Sequence, residues 1–168
     1  MNCESCWLGK MGALDPNSFK LKFYGASKGN PGLAGYGSVI RNNEGRILGV
    51  QWRNIGINTN NITELEGLIM GVQWLIQKGW KPLIIEGDSK LIITMARKIQ
   101  LGQKATKAGN NWRMEARLEN LAIIIGSGLT LSFKHALRSA NKVADVLANT
   151  GVRGDRVRLE EVWEEIQD

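Results

Sequence analysis

Glu64 follows the polar run Thr59-Asn60-Asn61, Asp88 ends a short apolar run, and Asp145 stands downstream of His135, the only histidine in the chain. Carboxylates are the preferred ligands of a hard divalent cation, and magnesium accepts a few of them together with waters and a substrate phosphate. Two such ions roughly 3.5–4 Å apart activate a water and stabilise the leaving oxygen of a phosphodiester. Clustering acids without a cation is costly, because like charges raise one another's pKa values. These three acids can therefore serve metal-assisted hydrolysis only if the fold brings them together. Taken singly, Glu64 reads as a first-turn helix acid favoured by the dipole, Asp88 as a helix cap and Asp145 as a solvated helix residue.

The elements that must position them are legible in the pattern. Lys20–Ala26 alternates through Leu21 and Phe23 and reads as a strand. Lys28-Gly29-Asn30-Pro31-Gly32 is a tight-turn cluster. Gly35–Arg41 and Arg46–Arg53 flank Asn42-Asn43-Glu44-Gly45 and read as an antiparallel hairpin. The period then changes. Ile62, Leu65, Leu68, Ile69, Val72, Leu75 and Ile76 recur at steps of three and four, the signature of an amphipathic helix. Thr59, Asn60 or Asn61 can cap it and Gly79 can end it. Leu83–Ile85 reads as a buried strand leading to Asp88, Ser89–Lys98 as a helix, Leu101–Asn111 as a basic polar loop, Trp112–Ile125 as a helix, Leu129–Lys134 as a strand and Asn141–Thr150 as a helix. A last amphipathic helix is expected over Arg156–Ile166. A meander followed by alternating strands and helices implies one mixed sheet with helices on its faces. Strand ends and helix starts converge beside such a sheet, which is how distant acids come to share a site.

Composition sets the partners. The chain has 168 residues and a formal charge of +6. Its last stretch, Arg153–Asp168, carries three basic and six acidic residues, a balance of −3, so the remainder carries +9. That excess favours a polyanion by counterion release and steering. Three regions are expected: a leader over 1–18, a domain over 19–152, and an acidic helix or tail over 153–168. Cys3 and Cys6 lack a second ligand pair for a closed zinc site and read as free thiols in the leader. No secretory apolar core follows Met1, so an intracellular location, cytoplasmic or nuclear, is the default, and no run is long enough for a bilayer.

Four segments, in order, resemble the ribonuclease H family: Ala26-Ser27-Lys28-Gly29-Asn30-Pro31-Gly32, Thr59-Asn60-Asn61-Ile62-Thr63-Glu64-Leu65, Glu86-Gly87-Asp88-Ser89, and His135-Ala136 followed by Ala140-Asn141-Lys142-Val143-Ala144-Asp145-Val146-Leu147-Ala148. The flavour is that of plant RNase H-like domains related to non-LTR retrotransposons, and the match covers about Lys20 to Gly151. The resemblance implies an α/β RNase H-like fold: a mixed five-stranded sheet, three antiparallel strands and then parallel ones, flanked by helices. It implies cleavage of RNA within a duplex by two Mg²⁺ or Mn²⁺ ions. Carried over by motif, Glu64, Asp88 and Asp145 are metal-binding and catalytic acids, and His135 is the histidine that assists proton transfer or product release. Tyr24 falls at the first acid. A phenol is neutral near pH 7 and a poor magnesium ligand, so one of the two ion positions is expected to be weakened.

The same resemblance places Ser27, Asn30, Asn60 and Asn61 along the minor groove of the duplex. There, groups that donate and accept sense RNA 2′-hydroxyls. Thr59 is placed to help hold a phosphate, and Ser89 counts among the nucleic-acid-binding residues. Arg97, Lys98, Lys104 and Lys107, with Trp112 nearby, correspond to a short basic protrusion that grips the duplex. The partner is therefore an RNA-containing duplex, either an RNA/DNA hybrid or double-stranded RNA, whose A-like grooves are alike. Two other readings remain open on the sequence: a duplex-binding module that does not cut, and a protein-interaction domain using the acidic tail.

Overall fold

A computed structural model describes residues 18–105, 111–138, 142–153 and 158–159. Three long antiparallel strands come first: β1 (Phe19–Gly29), β2 (Gly32–Asn42) and β3 (Ile47–Asn58). They are followed by α1 (Asn60–Gln77), β4 (Pro82–Gly87), α2 (Lys90–Gln100), α3 (Trp112–Ile125), β5 (Ser132–His135), α4 (Lys142–Val152) and a two-residue strand β6 (Arg158–Leu159). The sheet order is β5-β4-β1-β2-β3-β6. β1 pairs parallel with β4, and β4 with β5. The five main strands are those expected, three antiparallel and then two parallel.

The two faces of β1 decide the layering. Leu21 and Phe23 point into the larger core, where they meet Leu65, Leu68 and Val72 of α1, Ile92 and Ile93 of α2, and Leu118 and Leu121 of α3. Tyr24 points to the opposite face and packs with Val39 of β2 and Ala148 of α4. Period-two alternation thus feeds one strand into two layers.

The helix starts are set by side-chain caps. Thr59 Oγ1 accepts from Ile62 N at 3.4 Å, and Ser89 Oγ accepts from Ile92 N at 3.3 Å. Of the periodic residues of α1, Ile62 through Leu75 are buried, whereas Ile76 is 41% exposed and lies off the apolar stripe.

Two expectations are corrected. The helix expected over Arg156–Ile166 is not continuous, because Arg158–Leu159 pairs antiparallel with Val50 and Gln51 at the sheet edge. Open backbone groups on β3 offer a ladder there, which wins over the local helical period. The strand before His135 starts at Ser132 rather than Leu129 and runs through His135 itself. The leader with Cys3 and Cys6, and Lys107, lie outside the described residues.

One contact between layers matters for the site. A β-carbon on Gly25 would lie 2.4 Å from Glu64 N and 2.6 Å from Thr63 C. Only a glycine in β1 lets the first turn of α1 approach this closely.

Candidate active site

The C-terminal ends of the parallel neighbours β1 and β4 open into a cleft of about 380 Å³, lined by Tyr24, Gly25, Ala26 and Ser27 from β1, Asn60 and Glu64 from α1, Asp88 and Ser89 after β4, Arg138, and Asn149 of α4. This is where open α/β sheets place their ligands.

Glu64 is 7% exposed. Its pKa is raised well above the ordinary carboxylate value, first by burial and then by the charge of Asp88 beside it, while a hydrogen bond from the Gly25 backbone N–H and the charge of Arg138 pull the other way. Glu64 Oε2 is sealed from solvent with no hydrogen-bond donor, and Asp88 Oδ1 is sealed beside it. Glu64 and Asp88 also share a side-chain hydrogen bond, and two carboxyls this close are a donor set that fits one divalent cation. Asp145 falls in α4 one turn before Asn149, a cleft residue; its side chain lies outside the described residues. Among the described residues, no three His, Cys, Asp or Glu side chains converge.

Tyr24 does not extend this ligand set. Its ring is 7% exposed, its hydroxyl accepts a 2.6 Å hydrogen bond from Arg138 Nη2, and the guanidinium carbon stands 5.4 Å from its ring centroid. Where an acid would add negative charge, the cleft holds a phenol tied to a cation. The sequence reading missed Arg138. It is a lone arginine after β5 with no periodic or motif signal, and it reaches the cleft only through the fold.

His135 ends β5, is exposed, and does not line the cleft. Its Nε2 lies 3.0 Å from the Asp88 carbonyl oxygen, so the ring N–H donates to the backbone of the neighbouring acid.

The polar residues expected at a groove divide into two groups. Ser27, Asn60 and Ser89 reach the cleft. Ser27 Oγ donates to Asn58 O at 2.9 Å and also to Gly29 O, and Asn30 Oδ1 accepts from Asn60 N at 3.1 Å, so the β1–β2 turn is tied to the start of α1. Asn60 and Asn61 are exposed on the first turn, and Thr59 caps it.

The basic residues are less uniform. Lys104 is exposed and Lys98 half-buried. Arg97, exposed, also has a structural role: Nε and Nη2 donate to Phe133 O at 3.0 and 2.7 Å, fastening α2 to β5. Hydrogen bonds to charged groups contribute about 1.5–3 kcal/mol, so Arg97→Ala is expected to lower stability by about 1–2 kcal/mol in chemical denaturation. Lys98→Ala should stay within about 0.5 kcal/mol. Equal effects would remove the structural assignment of Arg97.

Comparison with known proteins agrees with this fold. Residues 22–151 match the family described as reverse transcriptase-like. The chain belongs to that RNase H-like family. A ribonuclease HI of Halobacterium salinarum is 32% identical over 127 residues, which are 76% of this chain and 60% of the relative. A bifunctional protein of Mycobacterium tuberculosis is 30% identical over 126 residues, 74% of this chain and 33% of the relative, so this chain spans about a third of that protein. The crystal structure of RNase H1 from the halophilic archaeon superposes with a TM-score of 0.70 at 27% identity, covering 82% of this chain and 99% of that one. LC11-RNase H1 in complex with an RNA/DNA hybrid gives a TM-score of 0.69 at 28% identity, covering 81% and 97%. Among the described residues of this RNase H-like chain, no helix is long and apolar enough to cross a membrane.

Proposed function

We propose that this chain is an endoribonuclease of the RNase H type that cleaves RNA within a duplex, using Mg²⁺ or Mn²⁺ held at Glu64 and Asp88, with Asp145 as the third acid. The observation that carries this reading is the sealed Glu64 carboxylate beside Asp88 at the ends of β1 and β4. A buried carboxyl pressed against a second acid is costly to ionise, and a divalent cation between the two would offset that cost. When bound, such an ion supplies a water of lowered pKa and polarises the phosphodiester.

The chain's own groups orient the rest. The Gly25 N–H fixes Glu64, and the capped first turn of α1 brings Asn60 to the cleft and leaves Asn61 exposed beside it, both able to meet RNA 2′-hydroxyls. His135 holds the Asp88 backbone through Nε2, leaving Nδ1 to exchange a proton at the leaving group. Tyr24 adds no ligand for a second ion, so turnover is expected to be slow: each tenfold loss of rate needs only about 1.4 kcal/mol. The reverse transcriptase-like family match supports kinship with retrotransposon-derived domains, and the plant flavour of the motifs belongs to the same reading.

Cleavage of labelled RNA/DNA hybrid and of double-stranded RNA with Mg²⁺ or Mn²⁺ tests this. EDTA should stop it, and Asp88→Asn should slow it by about 100-fold or more, the scale of losing one preorganised charge at a reacting centre. Equal rates for Asp88→Asn and the unaltered protein would trace the cutting to a contaminant. The Tyr24–Arg138 pair favours a second reading, a duplex-binding module that does not cut. That reading expects binding that survives EDTA and weakens steeply with salt, without strand scission.

A further inference from the structure

Position 24 carries a phenol, a poor ligand for a hard cation, and its hydroxyl is bonded to a guanidinium that lines the same cleft. We propose that Tyr24 is a positioning residue that holds Arg138 as a fixed cation facing the RNA phosphodiester, so that the cleft meets the negative charge of the backbone with one protein cation and one metal site. The inference rests on the duplex reading above.

Tyr24 is suited to this task because it is buried, clustered with Val39 of β2 and Ala148 of α4. Its hydroxyl takes one N–H of Arg138 at 2.6 Å, and the guanidinium lies against the ring face with its carbon 5.4 Å from the centroid. Both contacts restrain a long side chain that otherwise samples many rotamers. Arg138 stands on the rim of the cleft that holds Glu64 and Asp88, and its charge is felt at Glu64. The remaining walls, Ser27, Asn60, Ser89 and Asn149, are uncharged hydrogen-bonding groups. A planar fork of donors beside carboxylates and neutral polar walls is matched by a ligand that carries both negative charge and hydroxyls, which is the phosphate–ribose backbone. A guanidinium there only to neutralise the acids would be indifferent to duplex.

Titration of labelled hybrid in EDTA over a series of KCl concentrations separates these roles without any cleavage or metal. Arg138→Ala should lose about tenfold in affinity at low salt and reduce the slope of log affinity against log salt by about one. Arg138→Lys should keep the slope but recover only part of the affinity, since an ammonium cannot present a fork. Tyr24→Phe keeps every charge, so its slope should match that of the unaltered protein while affinity falls about threefold, as expected for losing one net hydrogen bond. Thermal melts of the variants establish that they are folded. A folded Arg138→Ala with unchanged affinity and slope overturns the inference and leaves the nuclease reading standing. If Arg138 matters and Tyr24→Phe binds as before, the positioning role of Tyr24 is overturned. Absence of binding by the unaltered protein at low salt overturns the duplex reading and this inference together.

Discussion

Glu64→Gln should stabilise the metal-free protein at neutral pH and sharply slow cleavage at the same time. The buried Glu64 carboxyl holds its proton more tightly than it would in the unfolded chain, because burial and then the Asp88 charge disfavour ionisation. Between the ordinary value of 4.5 and that raised one, the folded state binds more protons than the unfolded state. Unfolding therefore releases a proton across this window, and stability declines as pH rises through it. Below the ordinary value both states are protonated, and the contribution is fully present. Gln carries no charge to lose. Its carbonyl can still accept from the Gly25 N–H, and its amide can donate toward Asp88 where a carboxylate repels it.

The difference in melting temperature between Glu64→Gln and the unaltered protein should be near zero at acid pH and grow to several degrees at neutral and mildly alkaline pH. A difference that is flat with pH would mean that the Glu64 ionisation carries no cost in the fold. Mg²⁺ or Mn²⁺ should raise the melting temperature of the unaltered protein by mass action, more so at higher pH where the carboxylate is ionised, and this response should vanish in Glu64→Gln. Cleavage should fall by about a thousandfold, about 4 kcal/mol of lost transition-state stabilisation.

Much of this site was readable before any coordinates, and the part that was not has a definite physical character. The apolar period from Ile62 to Leu75 located α1, and with it Glu64, because burying one stripe of a helix imprints a repeat on the sequence. Asp88 followed from a strand that must end where its apolar run ends. Both are local signals. Arg138 left none: its meaning comes from Tyr24, far away in the chain, and from the layer that α4 builds over β1. The resemblance sets Tyr24 at the first acid, where a phenol reads as a missing ligand, but the bond from Arg138 to its hydroxyl is not written in the sequence. His135 was read as a proton carrier from its type and its motif. Its bond to the Asp88 carbonyl depends on β5 lying in register beside β4, a pairing between segments distant in the chain. Arg97 shows a second role that no local signal announces, since its two bonds to the Phe133 carbonyl join α2 to a strand distant in the chain. The short pairing of Arg158–Leu159 with β3 was hidden for the same reason, a non-local ladder overriding a weak helical period.

Gly25→Ala should damage stability and catalysis together, and more severely than a comparable change elsewhere on α1. The added methyl would sit 2.4 Å from Glu64 N, 2.6 Å from Thr63 C and 2.8 Å from Glu64 Cα, all backbone atoms that no rotamer change can clear. Relief requires β1 and the first turn of α1 to separate by roughly 1 Å. Overpacking of this kind costs about 1–3 kcal/mol and sometimes more; with an immovable neighbour we expect about 3 kcal/mol, or roughly 6–12 °C in a chain of this size. The same separation carries Glu64 away from Asp88 and from the Gly25 N–H that fixes it. A shift of about 1 Å at a reacting centre is enough for a rate loss of about 100-fold.

Gly71→Ala supplies the comparison. Its methyl would meet Leu21 side-chain carbons at 2.8 and 2.9 Å, and a leucine can yield where a peptide cannot. Gly71 lies two turns beyond Glu64 on α1, away from the cleft. That variant should lose stability but keep most of its cleavage rate per folded molecule. Denaturation midpoints and single-turnover cleavage, measured on both variants at a temperature where each is folded, separate the outcomes. If Gly25→Ala cuts as fast as Gly71→Ala, the close approach of β1 and α1 is only a packing detail. If it alone loses activity, the missing side chain at residue 25 is what brings the buried carboxylate to its place in the cleft.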